Sequence, residues 1–138
     1  MDKSSLSMAQ QIARAAGVSE QRRTGITPQV VSVVLSEETL VITLHGALSL
    51  AEKALAKTAA GAAQVQEFHR QLFATSSETL RDEIKRITGV KVREATAEVE
   101  PRTGTVMQVF TTGTMVQVFL LAHNISPEDW HRDGKLLS

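Results

Sequence analysis

The residues best placed for chemistry flank a point where the hydrophobic pattern of the chain changes. Apolar side chains alternate as in a strand up to His45, and from Ser49 onward they recur at helical spacing. His45 and Glu52 lie on either side of this junction, where an imidazole and a carboxylate could exchange a proton and a helix N-terminus could bind an anion. The alternative is that Ser49 and Glu52 form a capping box while His45 faces solvent. We favour this structural interpretation.

Two small groups of basic residues are candidates for contacts with phosphate. The first group is Arg22 and Arg23, and the second is Lys85, Arg86, Lys91 and Arg93. The chain carries 15 basic and 15 acidic residues, so no net positive field attracts nucleic acid. It also has no tyrosine and only 4% aromatic residues with which to stack bases. Nucleic acid is therefore a disfavoured partner, and solvated basic faces are the simpler interpretation.

Other catalytic or cofactor-binding patterns are absent from the sequence. The histidines at 45, 69, 123 and 131 do not fall at the spacing of known metal motifs, so no metal site is predicted. The glycines follow no phosphate-binding spacing, and no cofactor is expected. There is no cysteine and no Gly-x-Ser-x-Gly elbow, which excludes two common kinds of nucleophile. The residues favour a protein that is not an enzyme.

The first half of the chain reads as a helix followed by a hairpin. Ser7 and Gln10 form a capping box, which predicts a short N-terminal helix that ends at Gly17, followed by a linker over residues 18–28. Alternating apolar residues predict strands over 30–35 and 40–45, paired about Glu37 and Glu38. This register sets Leu35 against Leu40, Val33 against Ile42, and Val31 against Leu44. Glu37-Glu38 is not a favoured two-residue turn, so a longer loop remains an alternative.

Residues 49–88 have a helical pattern up to Gly89, which suits a C-cap. One continuous helix of this length would measure about 58 Å at a rise of 1.5 Å per residue. That length exceeds the diameter of a compact domain of this size. We therefore expect either a break near Ser76 or a projecting helix that packs on another subunit.

The last third of the chain reads as strands and a short helix. A change of parity near Arg93 and Glu94 predicts a β-bulge in the first strand. Residues 103–110 and 112–119 form a near-repeat, which predicts a hairpin that places Gln108 opposite Gln117. Ser126 followed by proline predicts a short final helix.

Together these elements predict one α+β domain over residues 1–138, comprising an N-terminal helix and linker over 1–28, a core over 29–121 and a tail over 122–138. Its antiparallel sheet of four to five strands would pack against the long central helical segment. No apolar run approaches the ~20 residues that span a bilayer, so we expect a cytoplasmic protein.

Association is the function that residue types favour most. The helical segment contributes an apolar stripe, and both faces of the final predicted hairpin are apolar, whereas one face of a small antiparallel sheet normally meets water. We expect a homodimer, with interface residues Val65, Phe68, Leu72, Phe110 and Phe119.

Several short motifs carry a resemblance to a known family. They are TGITP at 24–28, TLHG at 43–46, LSLAEKAL at 48–55, ITGVKV at 87–92 and VEPRTG at 99–104. Through them, residues 25–121 resemble the MpsC family, small bacterial proteins named after a Na+-translocating, membrane-potential-generating system. The resemblance implies an accessory to a membrane ion or bicarbonate uptake system, with a membrane transport protein as partner and a position peripheral to the inner membrane. The alternatives from the residues are a ligand-binding protein or enzyme at His45 and Glu52, or an RNA-binding module.

Overall fold

The computed structural model describes the backbone of residues 6–100 and 114–132, and the side chains of 6–95 and 115–132. Five helices and four strands occur in this part of the chain, which confirms the predicted α+β class. In chain order they are α1 Met8–Thr24, β1 Val30–Ser36, β2 Thr39–His45, α2 Leu50–Leu55, α3 Ala59–Ser76, α4 Glu78–Thr88, β3 Val92–Glu100, β4 Thr114–Leu121 and α5 Pro127–His131.

The strands form one antiparallel sheet in the order β1-β2-β4-β3. The predicted register of the first hairpin is confirmed, since Val33 pairs with Ile42 and Leu35 with Leu40. Ser36 pairs with Thr39, so the turn has two residues after all, and Glu37 adopts a left-handed φ of 54° to make it. That conformation costs a non-glycine residue about 1–2 kcal/mol, which the paired strands on either side must offset.

The partner of β4 differs from the sequence prediction. Gln117 lies between Ile42 of β2 and Ala97 of β3, so both edges of β4 are occupied. The predicted pairing of Gln117 with Gln108 is therefore wrong, and residues 103–110 lie outside the described part of the chain. The sequence repeat was misleading because residues 92–100 pair with β4 in its place. The register shift between Val92 and Glu94 confirms the predicted bulge.

The N-terminal helix is longer than predicted. Ser7 and Gln10 form the expected capping box, but α1 runs through Gly17 and ends at Thr24, with Gly25 as the left-handed C-cap at φ 81°. The predicted end at Gly17 and the linker from residue 18 are wrong, because the buried stripe continues past the glycine. A helical glycine costs only about 1 kcal/mol, and burial of the helix face outweighs that cost. The predicted final helix is present as α5, capped by Ser126.

The long helical segment breaks twice. The predicted break near Ser76 is confirmed, since α3 ends there and α4 begins at Glu78. A second break, at residues 56–58, was not predicted: α2 ends after about one and a half turns, and Thr58 caps α3 by accepting a hydrogen bond from the amide of Gly61 at 3.0 Å. The chain thereby folds back instead of projecting as one helix.

The core lies between the sheet and the helices. α1 packs on β1, α3 packs on β3, and α4 packs on α1. The inward residues of the two central strands are fully buried, and they meet buried residues of the helices. These strand residues are Leu40, Ile42, Leu44, Met115, Phe119 and Leu121. Phe119 contacts Phe73 of α3 edge-on at 5.9 Å between ring centroids.

Gly61 permits the close contact between α2 and α3. A Cβ atom built on Gly61 would lie 1.8 Å from the carbonyl oxygen of Leu55. Because this oxygen belongs to the backbone, no side-chain rotation can relieve the clash. The glycine in the alanine-rich start of α3 is therefore explained by packing.

We predict that Gly61→Ala lowers the free energy of unfolding by about 2–3 kcal/mol, because α2 must move away from α3. Gly17→Ala is the matched control in α1, where the nearest atom to the new Cβ is 3.9 Å away. It should raise stability by about 0.5–1 kcal/mol through the lower entropy of the unfolded chain. Urea unfolding measures both, and equal effects of the two variants would contradict the described contact.

Candidate functional site

Four ionisable side chains from three helices form a largely buried polar cluster. They are Glu20 and Arg23 of α1, Glu52 of α2 and His69 of α3. Glu20 is 0% exposed and His69 is 1% exposed. Charged groups are rarely buried unless they are paired, so the arrangement constrains how the three helices meet.

Glu52 uses both carboxylate oxygens. Oε1 accepts hydrogen bonds from the Ser49 amide at 2.9 Å and the Ser49 hydroxyl at 3.1 Å, and the Ser49 hydroxyl accepts from the Glu52 amide. Oε2 lies 2.5 Å from Nε2 of His69. The predicted capping box is thus confirmed, and the same carboxylate also fixes a ring on α3.

The pKa of Glu52 lies below its ordinary value. Burial alone would raise this pKa, but the hydrogen bonds from the Ser49 backbone and from His69 together outweigh burial. Glu52 is therefore an ionised acceptor at neutral pH, and Nε2 of His69 must donate the proton in their hydrogen bond. Nδ1 of His69 has no partner among the described residues.

Glu20 and Arg23 form the second half of the cluster. Nη1 of Arg23 donates to Oε1 of Glu20 at 2.9 Å, and Nη2 donates to the Ser19 hydroxyl at 2.9 Å. The guanidinium lies over the ring of Phe73, 5.3 Å from its centroid, a favourable cation–π distance. Oε2 of Glu20 and Nε of Arg23 have no hydrogen-bond partner among the described residues.

Burial raises the pKa of Glu20, and the charges of Arg23 and His69 oppose that rise. The pKa of Glu20 is thus raised, whereas the pKa of Glu52 is lowered, although burial acts to raise both. Ionised Glu52 adds stability above its ordinary pKa of 4.5, and this contribution is lost as pH falls through its lowered pKa. Ionising Glu20 removes stability as pH rises from 4.5 through its raised pKa. The cluster can therefore bind a proton, but both carboxylate oxygens of Glu52 already form hydrogen bonds, one with Ser49 and the other with His69.

His45 does not supply the partner of Glu52. It lies at the end of β2, opposite Val30, on the face away from the buried residues of that strand. Its carbonyl accepts from the amide of Gln29 at 2.8 Å. The candidate pair of His45 and Glu52 is therefore not formed, and His69, which the sequence analysis did not select, contacts Glu52 instead.

Sequence reasoning missed His69 and Glu20, although each had a signal. His69 continues the buried stripe of α3 through Val65 and Phe73, and Glu20 continues that of α1 through Ile12 and Ala16. A titratable residue in an apolar stripe needs a buried partner. Glu52 and Arg23 were the groups available to provide one.

The basic residues divide between the two sides of a cavity of about 580 Å³ between α1 and α4. Arg22 and Arg23 of the first predicted group line this cavity, and so does Arg86 of the second group. Lys85 and Lys91 are exposed elsewhere, and Arg93 lies 3.8 Å from Glu38. Of the second group, Arg86 therefore shares a surface with Arg22 and Arg23, and Lys85, Lys91 and Arg93 do not.

The residues predicted for an interface lie in different environments. Val65 is 2% exposed and Phe119 is fully buried, so both pack within the chain. Phe68 is 55% exposed and Leu72 is half-buried. Phe110 lies outside the described residues. Phe68 is thus the predicted interface residue most accessible to a partner.

Among the side chains of residues 6–95 and 115–132, no three histidine or acidic groups gather as metal ligands would. Over the same ranges, no helix combines the length and apolar composition needed to cross a bilayer.

The fold and the cluster define a small α+β protein whose most polar interior site is enclosed. Residues 4–114 match the family model described as Na+-translocating membrane potential-generating system (MpsC). The chain belongs to the MpsC family, as the motifs predicted. No curated protein and no solved structure matches the chain.

We predict that Glu52→Gln lowers the free energy of unfolding at pH 7 by about 1–3 kcal/mol, because it removes a charged hydrogen bond to buried His69 while keeping an oxygen for Ser49. The loss should shrink as pH falls below 4.5 and through the lowered pKa of Glu52, where the folded wild-type protein loses this charge. Urea unfolding at pH 7 and at pH values down through that pKa measures both effects.

The control for this substitution is Glu67→Gln on the exposed side of α3, where Glu67 bonds to Arg70 and Gln71. A solvated pair of this kind contributes little to stability. A loss at Glu52 that stayed constant with pH would contradict the ionised state of its carboxylate.

Proposed function

We propose that this protein is a non-enzymatic accessory module of a bacterial membrane system that moves Na+ or takes up bicarbonate. The observation that carries the proposal is the match of residues 4–114 to the MpsC family model. The module would act from the cytoplasmic side through contact with a membrane transport protein.

The state of the ionisable groups supports an accessory role over an enzymatic one. Both oxygens of Glu52 are occupied by Ser49 and His69, and Glu20 and His69 are almost completely buried. A general base must reach the proton that it abstracts. These hydrogen bonds favour a structural role for the strand-to-helix junction. They disfavour the alternative of an enzyme at His45 and Glu52, because the Glu52 carboxylate is not free to act as a base.

We propose Phe68 as a contact for the transport partner. Its ring is 55% exposed on α3, and it stands one residue before buried His69, with which it makes an edge contact at 5.3 Å. Exposed aromatic side chains are enriched at the centres of protein interfaces. Leu72, one turn further along α3, extends the same side of the helix.

Deletion of the gene should lower Na+-dependent membrane potential and bicarbonate-dependent growth, and expression of the wild-type protein should restore both. A potential-sensitive dye and growth at low CO₂ measure these effects. Phe68→Ser should fail to restore them, whereas the control Leu50→Ser, at a hydrophobic residue that is 83% exposed on α2, should succeed.

Unchanged potential and growth after deletion would overturn the proposed function. Full rescue by Phe68→Ser would overturn only the proposed contact.

We propose that two copies of the chain associate through the outer face of the sheet. In β1, β2 and β4 the described residues of this face include no lysine, arginine, aspartate or glutamate, and Val34, Val41 and Val118 form a continuous row across the three strands. Val34 is 60% exposed and Val30 is 57% exposed. Two such faces can stack about 10 Å apart, as the sheets of a sandwich do.

Light scattering should give the mass of a dimer for the wild-type protein at micromolar concentration. Val34→Glu should yield a monomer, because a dimer would bury the new carboxylate without a partner. Leu50→Glu is the control for an added charge at an exposed apolar residue and should remain dimeric. A wild-type monomer would contradict the proposal.

A further inference from the structure

We propose that the cavity between α1 and α4 binds a small organic phosphate. The cavity holds about 580 Å³, within the range of small-molecule sites in proteins, about 300–1,000 Å³. One wall is the side of α1 that carries Arg14, Val18 and Arg22. The other wall is formed by the end of α3 and by α4, from Ser76 to Arg86.

The ionisable groups of the cavity leave an excess of positive charge. Its lining contains four arginines and one carboxylate. Arg86 is paired with that carboxylate, Glu83, at 2.9 Å, and Arg23 is paired with Glu20. Arg14 and Arg22 make no ion pair with any residue in the described part of the chain. Two uncompensated charges match a doubly charged anion.

Arg23 adds a fixed positive charge to the cavity wall. Its side chain is only 3% exposed, and its guanidinium donates to Glu20 and Ser19 and lies over Phe73. Its Nε is buried from solvent and has no hydrogen-bond partner among the described residues. Arg14 and Arg22 are therefore the α1 arginines that a ligand in the cavity can contact.

The position of Phe73 locates the charged end of the cavity. Because Arg23 lies over Phe73 in the last turns of α3, the end of α1 that contains Arg22 lies beside Ser76 and Thr79. Guanidinium groups and hydroxyls are the side chains that commonly bind phosphate oxygens. Arg14 lies two turns away along α1, at a rise of about 12 Å.

Most of the remaining lining is apolar, apart from Gln11 and Ser19, and indicates a ligand with an organic body. Leu6, Ala15, Val18 and Leu80 contribute to the walls. An inorganic ion would leave most of this volume to water, whereas a phosphate ester with a hydrophobic group would fill it. The phosphate could belong to a soluble metabolite or to a phospholipid headgroup, which present the same chemistry to the arginines.

The test uses phenyl phosphate as the soluble probe and calorimetry on the full-length protein. We expect binding of one molecule per chain with a Kd at or below about 1 mM, and weaker binding of inorganic phosphate. Arg22→Ala should weaken binding by roughly tenfold, the effect of losing one charge-assisted contact, and Arg14→Ala, two turns away along α1, should weaken it less. Both residues are exposed, so the fold should survive, which circular dichroism checks.

Lys85→Ala is the matched control, because Lys85 is exposed on α4 and does not line the cavity. It removes one positive charge and should leave binding unchanged. Vesicles that contain phosphatidic acid, whose headgroup is a phosphate monoester, compared with phosphatidylcholine vesicles, test the lipid source. Binding to phosphatidic acid alone that is lost in Arg22→Ala would support the site and assign it to a headgroup.

Two outcomes would overturn the proposal. One is the absence of binding to phenyl phosphate, inorganic phosphate and both vesicles at millimolar phosphate. The other is a loss in Lys85→Ala equal to that in Arg22→Ala, which would indicate general charge attraction without a site.

Discussion

The carboxylate of Glu52 is the interaction on which the arrangement of the helices depends. One carboxylate oxygen accepts a hydrogen bond from the backbone amide of Ser49 at the N-terminus of α2. The other oxygen contacts the ring of His69 on α3. Because a buried charge without partners is very costly, α2 and α3 can pack only where both sets of hydrogen bonds form. The close approach at Gly61 and the contact of α3 with the sheet follow from that placement. A capping residue thus acts across the tertiary structure.

Arg23 connects the buried polar cluster to the cavity between α1 and α4. It pairs with Glu20 on the cluster side and contributes to the cavity wall on the other. The position of its guanidinium is fixed by Ser19 and by the ring of Phe73. Such support from neighbouring groups is what gives a binding residue a defined geometry. The buried polar cluster and the arginine-lined cavity therefore share one side chain.

The sequence predicted local structure better than it predicted long-range partners. The two capping boxes, the register of the first hairpin and the bulge depend on residues close together in the chain, and all three are confirmed. The end of α1 was missed because the burial of its inner face outweighs the cost of a glycine within the helix. The end of α2 was missed because Gly61 is required by a close contact between two helices, which the sequence pattern does not indicate. His69 could not be assigned to Glu52 from spacing, since the break at residues 56–58 brings them together. Arg22 and Arg23 were identified as a pair, but only the fold shows that one is buried and the other exposed.

The position of β4 has a consequence for how the sheet is assembled. β4 lies between β2 and β3, so Leu40 acquires its neighbour Phe119 only after β3 and the residues before it have been synthesised. Until then, the β2 edge of the first hairpin lacks its partner, and the inward side of that hairpin cannot be fully covered. Pairings between distant residues form slowly because a long loop must close first. Of the described strands, the one that is made last thus completes the sheet from its middle, and the edge of β2 stays open until that strand is in place.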